Sequence, residues 1–109
     1  MNITFNLYYK SENGNAKKFA EEMISSGIVD EIRSKKGNLR YEYFIPLDDD
    51  NNILLIDSWE NQEALDVHHN SDTMKKIAEL RNKYDLHMMV EKYIKDDTNM
   101  EGNDKFIRK

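Results

Sequence analysis

Two alternating runs joined by an acidic turn constrain the fold more than any other feature of this sequence. Residues 39–47 and 53–60 are rich in aromatic and branched aliphatic side chains, and the five residues between them read DDDNN. Alternation with a period of two is typical of strands, and a short polar turn between two such runs predicts a β-hairpin.

The patterns on either side of the hairpin supply the remaining elements. Helices are indicated where apolar residues recur at every third or fourth position, and strands where they alternate. The predicted elements are a strand at 2–9, a helix at 16–36 with a weak point at 25–27, the two hairpin strands, a short helix after Asn61, a second helix after Ser71, and a strand at 85–95.

This order, β-α-β-β-α-β, predicts a ferredoxin-like α+β fold with one antiparallel sheet and helices on one face only. We place the domain at residues 1–95 and a polar C-terminal tail at 96–109. The uncovered sheet face would carry aromatic and aliphatic side chains over more area than a monomer usually exposes. We therefore expect a homodimer in which two sheets pack into an α+β barrel. Phe106 and Ile107 are candidates for contact with the neighbouring subunit.

Composition and charge narrow the classes of partner. The net charge is −5 and no segment is densely basic, which argues against nucleic acid as a partner. The absence of cysteine excludes disulfides, thiolate metal sites and cysteine nucleophiles. The first residues do not resemble a signal peptide, and no apolar run is long enough to span a membrane. These features predict a cytoplasmic protein with no membrane partner.

Two adjacent histidines, His68 and His69, are the first candidates for chemistry. Neighbouring residues of a helix point about 100° apart, so the two cannot face one ligand equally. One reading has one histidine in solvent and the other bonded to a neighbouring segment. The other has one lining a cavity beneath the helix, where a neutral imidazole can remove a proton from a phenolic or enolisable substrate. Metal binding is disfavoured because no HxxxH spacing is present.

Asn6 is the third catalytic candidate, because a carboxamide turned into a cavity can polarise a substrate oxygen. Its simpler interpretation is exposure to water, since it belongs to the strand set opposite Phe5 and Leu7. Trp59 and Tyr41 are candidate walls for an aromatic ligand, and packing in the core or an interface explains them equally well. Arg40 is a possible binding residue or half of a surface ion pair with Glu42.

Motifs for the common cofactors are missing. The sequence contains no G-x-G-x-x-G, P-loop, G-x-S-x-G or H-E-x-x-H pattern. We therefore predict no cofactor and no metal.

In combination, these motifs resemble the antibiotic biosynthesis monooxygenase (ABM) family over about residues 1–95. That family has a strand with Gly-x-x-x-Tyr/Phe, a strand that ends in Trp and an acidic residue, and a helix with Ala-Leu-x-x-His followed by Ser. The matching positions here are Gly37, Arg40, Tyr41, Trp59, Glu60, Ala64, Leu65, His68 and Ser71.

The resemblance implies a ferredoxin-like dimer with a pocket between sheet and helices in each subunit. It also implies a cofactor-independent monooxygenase whose partners are O₂ and a small aromatic substrate such as a quinol. His68 or His69 would then be the base, Asn6 a donor to oxygen, and Trp59, Tyr41, Arg40 and Leu65 the binding surface.

Other branches of the family offer alternatives. Haem-degrading members use an Asn, a Trp and a His; Asn6 fits the first, but His68 and Ala78 stand at the other two positions. A further branch processes a phosphorylated signalling sugar, so isomerase-type chemistry on a small phosphorylated metabolite stays open. A non-catalytic ligand-binding module with a role in stress response is a third interpretation.

Overall fold

The computed structural model describes residues 1–96 and 104–108. Its strands are β1 (Ile3–Lys10), β2 (Asn38–Phe44), β3 (Asn52–Trp59) and β4 (His87–Ile94). Its helices are α1 (Asn15–Ser25), α2 (Ile28–Arg33), α3 (Gln62–His69) and α4 (Asp72–Lys83), with a 3₁₀ turn at Asp104–Phe106. Among the described residues, no helix has the length and apolar character needed to cross a bilayer.

The four strands form one antiparallel sheet in the order β2-β3-β1-β4. This is the ferredoxin-like arrangement predicted from the sequence, with the N-terminal strand at the centre. β1 aligns Phe5 with Asp57 of β3 and with Lys92 of β4. Because side chains alternate along a strand, this register determines which residues face the helices and which face away.

The hydrophobic core lies between the sheet and the helices. Tyr9, Phe19, Met23 and Trp59 are fully buried there. None of the helices α1–α4 covers the opposite side of the sheet, which is called the open face below. Its residues include Thr4, Asn6, Tyr8, Arg40, Glu42, Phe44, Leu54, Ile56, Met89 and Tyr93. Several of its large side chains are exposed in the single chain, as the dimer prediction requires, although the chain by itself does not test that prediction.

The helix predicted for residues 16–36 is two helices rather than one bent helix. It breaks at Ser26 and Gly27, and Gly27 has a φ of 86°, a left-handed conformation that an α-helix cannot contain. Gly37 also has a φ of 86°, but it lies in the loop before β2 rather than at the end of the helix. A Cβ on Gly37 would stand 2.5 Å from the Cβ of Ala64, so this glycine lets α3 approach the loop.

A bulge interrupts the alternation of side chains in β2. The sequence pattern places Leu39 on the same side as Tyr41, but the register shifts between Asn38 and Arg40. Leu39 is the extra residue, and its side chain is half exposed. In the C-terminal segment, Phe106 and Ile107 are both exposed. Their proposed contact with a second subunit stays a prediction.

Candidate active site

A cavity of about 190 Å³ lies between the sheet and helices α3 and α4. It is called the inner cavity below. Aliphatic and aromatic side chains form most of its wall, with a carboxylate, a guanidinium and two imidazoles among them. The lining residues are Phe5, Leu7, Tyr41, Leu55, Asp57, His68, His69, Met74, Ile77, Arg81, Met88 and Val90. An apolar cavity with a few converging polar groups is the usual form of a small-molecule site.

Asp57 is the carboxylate of the inner cavity. It lies on β3 in the set that contains Leu55 and Trp59, so its side chain points toward the helices and is only 8% exposed. The Trp59 indole donates from Nε1 to Asp57 Oδ1 at 2.7 Å. Burial raises the pKa of Asp57 to about 7, although the Trp59 hydrogen bond and the charge of Arg81 oppose the change. Asp57 can therefore exchange a proton at neutral pH.

Arg81 supplies positive charge from α4. Its Nη2 donates to the hydroxyl of Tyr9 at 2.9 Å, and its guanidinium carbon lies 5.6 Å from the centre of the Tyr9 ring. Its Nε is buried and has no hydrogen-bond partner within the described part of the chain. A buried donor without a partner costs free energy, so this nitrogen is available to an oxygen of a bound molecule.

His68 is the inward-facing member of the histidine pair. It is 2% exposed, and its ring stacks on Trp59 with a centroid separation of 4.9 Å and an angle of 21°. Lys35 Nζ lies 2.8 Å from His68 Nδ1 and also donates to the Ser71 hydroxyl at 2.8 Å. Burial lowers the pKa of His68 to about 4, and the Lys35 charge adds to the effect. The imidazole is therefore neutral at pH 7.

His69 is exposed at the rim of the inner cavity, with its ring 5.8 Å from that of His68. The 100° step between helix neighbours explains why one histidine of the pair is buried while the other stays in contact with solvent.

Tyr41 lies in the wall of the inner cavity, as the sequence suggested, and is 3% exposed. Burial raises the pKa of its phenol well above the ordinary value, so it stays protonated. Trp59 and Leu65 are buried but do not line the cavity. Trp59 lies behind it and contacts it through Asp57 and His68, and Leu65 is part of the core.

Asn6 and Arg40 are not part of the inner cavity. Asn6 pairs with Ile56 and points to the open face, on the other side of the sheet from His68. The expectation that its carboxamide enters a sheet–helix cavity is wrong, because the helices cover the set that contains Phe5 and Leu7. Arg40 is also on the open face and forms a 3.1 Å ion pair with Glu42.

Three residues of the site were not selected from the sequence: Asp57, Arg81 and Lys35. Asp57 was predictable from the sequence, because alternation along residues 53–59 places it on the same side as Leu55 and Trp59, where it is the only charged residue. Arg81 follows Ile77 by four positions on α4 and so lies on the same helix face. Lys35 lies in the loop between α2 and β2, where no periodic pattern indicates direction.

Among the described residues, no group of three His, Asp or Glu side chains is arranged to hold a metal ion. A second depression, about 340 Å³, lies beyond His68 and is called the outer depression below. Its wall is more polar and includes Lys35, Lys36, Glu60, Glu63 and Ser71. His68 lines both spaces.

Comparison with known proteins agrees with the fold. The sequence model described as antibiotic biosynthesis monooxygenase matches residues 3–80. No curated protein matches this sequence.

Among solved structures, SnoaB, a cofactor-independent oxygenase from Streptomyces nogalater, superposes with a TM-score of 0.73 at 14% identity, covering 89% of this chain and 95% of SnoaB. A conserved protein from Methanosarcina mazei gives a TM-score of 0.74 at 18% identity, with coverage of 88% and 94%. A conserved protein of unknown function from Bacteroides thetaiotaomicron gives 0.73 at 17%, with coverage of 84% and 95%. At these identities the likeness establishes the fold.

Proposed function

Because this chain belongs to the antibiotic biosynthesis monooxygenase family, we propose that its inner cavity binds a small electron-rich aromatic, such as a quinol or phenol, and oxygenates it with O₂. The observation that carries the proposal is Asp57, a buried carboxylate with a pKa of about 7 in an otherwise largely apolar cavity. A general base is most effective when its pKa lies near the working pH.

The size of the inner cavity fits an aromatic of one ring or a small fused system. An apolar cavity of about 150 Å³ is enough to hold benzene. The inner cavity, at about 190 Å³, leaves room for one or two substituents. Met74 and Met88 line the wall and can adjust to the shape of a flat ligand, since methionine side chains are flexible and polarisable.

In the proposed reaction, Asp57 takes the hydroxyl proton of the bound phenol. The Arg81 guanidinium, with its free Nε, stabilises the phenolate that forms. The phenolate transfers one electron to O₂, and the resulting aryloxyl radical and superoxide join in a C–O bond at a ring carbon. Protonation of the peroxide by Asp57 gives a hydroperoxide.

The hydroperoxide then loses the hydrogen of that ring carbon and its O–O bond breaks, which releases water and leaves a quinone. A phenol and one O₂ thus become a quinone and one water: one oxygen atom enters the product and the other leaves. The apolar wall keeps water from the radical pair.

His68 is a weaker candidate for the base than Asp57. Its Nδ1 is occupied by Lys35, and burial lowers its pKa to about 4, so it binds a proton poorly at pH 7. His69 lies at the rim and is suited to contact a substituent of the substrate. Asn6 and Arg40 have no part in this proposal because they lie on the opposite side of the sheet.

The test is oxygen uptake with a panel of quinols and anthrones, followed by mass analysis of the products made under ¹⁸O₂. We expect one labelled oxygen in the quinone and a loss of turnover of at least a hundredfold in Asp57→Asn, which keeps the shape and removes the proton acceptor. Asp66→Asn, an exposed carboxylate on α3, is the matched control and should leave the rate unchanged. Equal rates in both variants would exclude Asp57 as the base.

The alternatives have less support from the site. Among the described residues that line the inner cavity, Arg81 is the only permanent cation, and Asp57 would repel a phosphate group. Turnover that continues without oxygen would nevertheless favour isomerase-type chemistry on a phosphorylated metabolite. Aromatic ligands that quench Trp59 fluorescence without being converted would favour a binding module.

A further inference from the structure

Lys35 occupies an unusual position for a lysine. Its Nζ is within 2.8 Å of two neutral groups, the His68 Nδ1 and the Ser71 hydroxyl. Within residues 1–96 and 104–108, no carboxylate lies within ion-pair distance of it. Glu31, the acid whose charge acts on Lys35, instead accepts a hydrogen bond from Thr73 at 2.7 Å and pairs with Lys76 at 3.6 Å. The hydrogen-bonding capacity of Lys35 is therefore directed at His68 and Ser71.

The contact between Lys35 Nζ and His68 Nδ1 bears on which nitrogen of the neutral imidazole carries the proton. A neutral histidine has one nitrogen that donates and one that accepts, and the partner of one nitrogen fixes the role of the other. An ammonium group can only donate, so Nδ1 must accept and the proton must be on Nε2. No hydrogen-bond partner of Nε2 occurs among the described residues, and His68 forms part of the inner cavity wall.

We propose that Lys35 is a positioning residue that holds His68 as an Nε2–H donor, so that the inner cavity selects aromatic ligands carrying an acceptor oxygen beside His68. This extends the proposed function, on which the choice of ligand rests. Asp57 and His68 then act on ligands in complementary ways, one accepting a proton and the other donating a hydrogen bond.

Ser71 completes the arrangement. Its hydroxyl accepts from Lys35 and donates to the His68 carbonyl oxygen at 2.6 Å. Lys35 therefore bonds both ends of the short segment from the His68 imidazole to Ser71, the residue that precedes α4. The stack with Trp59 at 4.9 Å fixes the ring plane, so the imidazole has little freedom to rotate away from Lys35.

The direct test is ¹⁵N NMR of His68 between pH 6 and pH 8, which identifies the protonated nitrogen. A charge-assisted hydrogen bond should favour the Nε2–H form by about tenfold to a hundredfold. We therefore expect one dominant form in the wild-type protein. If Nδ1 carries the proton, or both forms are comparably populated, the proposal is overturned from the wild-type spectrum alone.

Variants at Lys35 provide a second test of the proposed role of this residue. Lys35→Met should allow both tautomers and raise the pKa of His68, because a positive neighbour is lost. The other charged groups that act on His68 are His69 on α3, Arg81 on α4 and Glu31 on α2, and they are unchanged. Lys35→Arg should keep the wild-type tautomer. An unchanged tautomer in Lys35→Met would contradict the assignment.

Lys36 is the matched control, because it borders the same outer depression but makes no hydrogen bond with His68. Lys36→Met should leave the spectrum as it is. Ligand choice is then measured by Trp59 fluorescence with an aromatic ketone and its analogue without the carbonyl oxygen. Wild type should prefer the ketone by about tenfold, and Lys35→Met should lose this preference; equal preference in both proteins refutes the specificity role.

None of these measurements requires turnover. Their failure is therefore distinct from a failure to find oxygenase activity.

Discussion

The stability of Asp57→Asn as a function of pH tests the buried carboxylate directly. The pKa of Asp57 is about 7 in the folded protein against an ordinary 3.8. Because the folded-state pKa is the higher one, the unfolded chain loses its proton first as pH rises. The wild-type protein thus loses stability from about pH 4 to pH 7, by up to ~4 kcal/mol over that difference in pKa. Asparagine cannot ionise, so the variant keeps this stability.

We expect the free energy of unfolding of Asp57→Asn, minus that of wild type, to increase by up to ~4 kcal/mol between pH 4 and pH 8. The asparagine Oδ1 can still accept the Trp59 hydrogen bond, which makes the substitution conservative. Urea unfolding followed by Trp59 fluorescence measures the difference, with Asp66→Asn as the control for an exposed carboxylate.

The variant difference is needed because His68 masks the effect in wild type. Its pKa is lowered to about 4 on folding, so its contribution to stability is lost as pH falls from about 6.5 toward 4. The contributions of Asp57 and His68 to the pH dependence of stability therefore oppose each other over the same pH range. They can be separated only when one of the two groups is removed. A difference between variant and wild type that does not change with pH would show that Asp57 is hydrated and titrates normally.

Three further results are expected. Trp59→Phe removes the donor to Asp57 and should raise the carboxyl pKa by about one more unit, measured by ¹³C NMR; an unmoved midpoint would contradict the role of the indole N–H. Gly37→Ala should destabilise the protein by ~2–4 kcal/mol, because Gly37 has a φ of 86° and an added Cβ would stand 2.5 Å from Ala64. Gly14→Ala, with a φ of 71° and open space around the new Cβ, should cost only ~1–2 kcal/mol. Equal losses of unfolding free energy in urea would disprove the steric contribution at Gly37. Sedimentation at micromolar concentration should give twice the 13.0 kDa chain mass, because the open face exposes Phe44 and Tyr93; a clean monomer would refute the predicted dimer.

The fold was predictable because its signals are periodic. Alternation in the strands and the spacing of α1 and α4 placed the elements in the observed order, and Gly27 marked the weak point of the long helical pattern. The exact ends were not predictable: the bulge at Leu39 depends on how β2 meets β3, which no local pattern in residues 37–41 reveals.

The residues of the candidate site are predictable from the sequence only when each strand residue is assigned to a face of the sheet strictly by alternation. Alternation alone places Asn6 on the open face. It places Asp57 on the helix side, because Asp57 lies on the same side of β3 as Leu55 and Trp59. Asn6 was a candidate because its carboxamide can polarise a substrate oxygen, but its side chain lies on the face of the sheet opposite the inner cavity. The proposed role of Lys35 depends on a loop that folds back onto α3 over a separation of 33 residues, and such a contact has no signature in the sequence.

The pH dependence of kcat/KM for a quinol or phenol tests the central claim most directly, because it separates the two candidate bases. For the free enzyme, Asp57 predicts a rate that rises with pH and levels off after a midpoint near 7. His68 as the base predicts a midpoint near 4 and a constant rate from pH 5.5 to 8.5. A midpoint near 7 agrees with Asp57 as the proton acceptor of the inner cavity, and a flat profile over that range contradicts it.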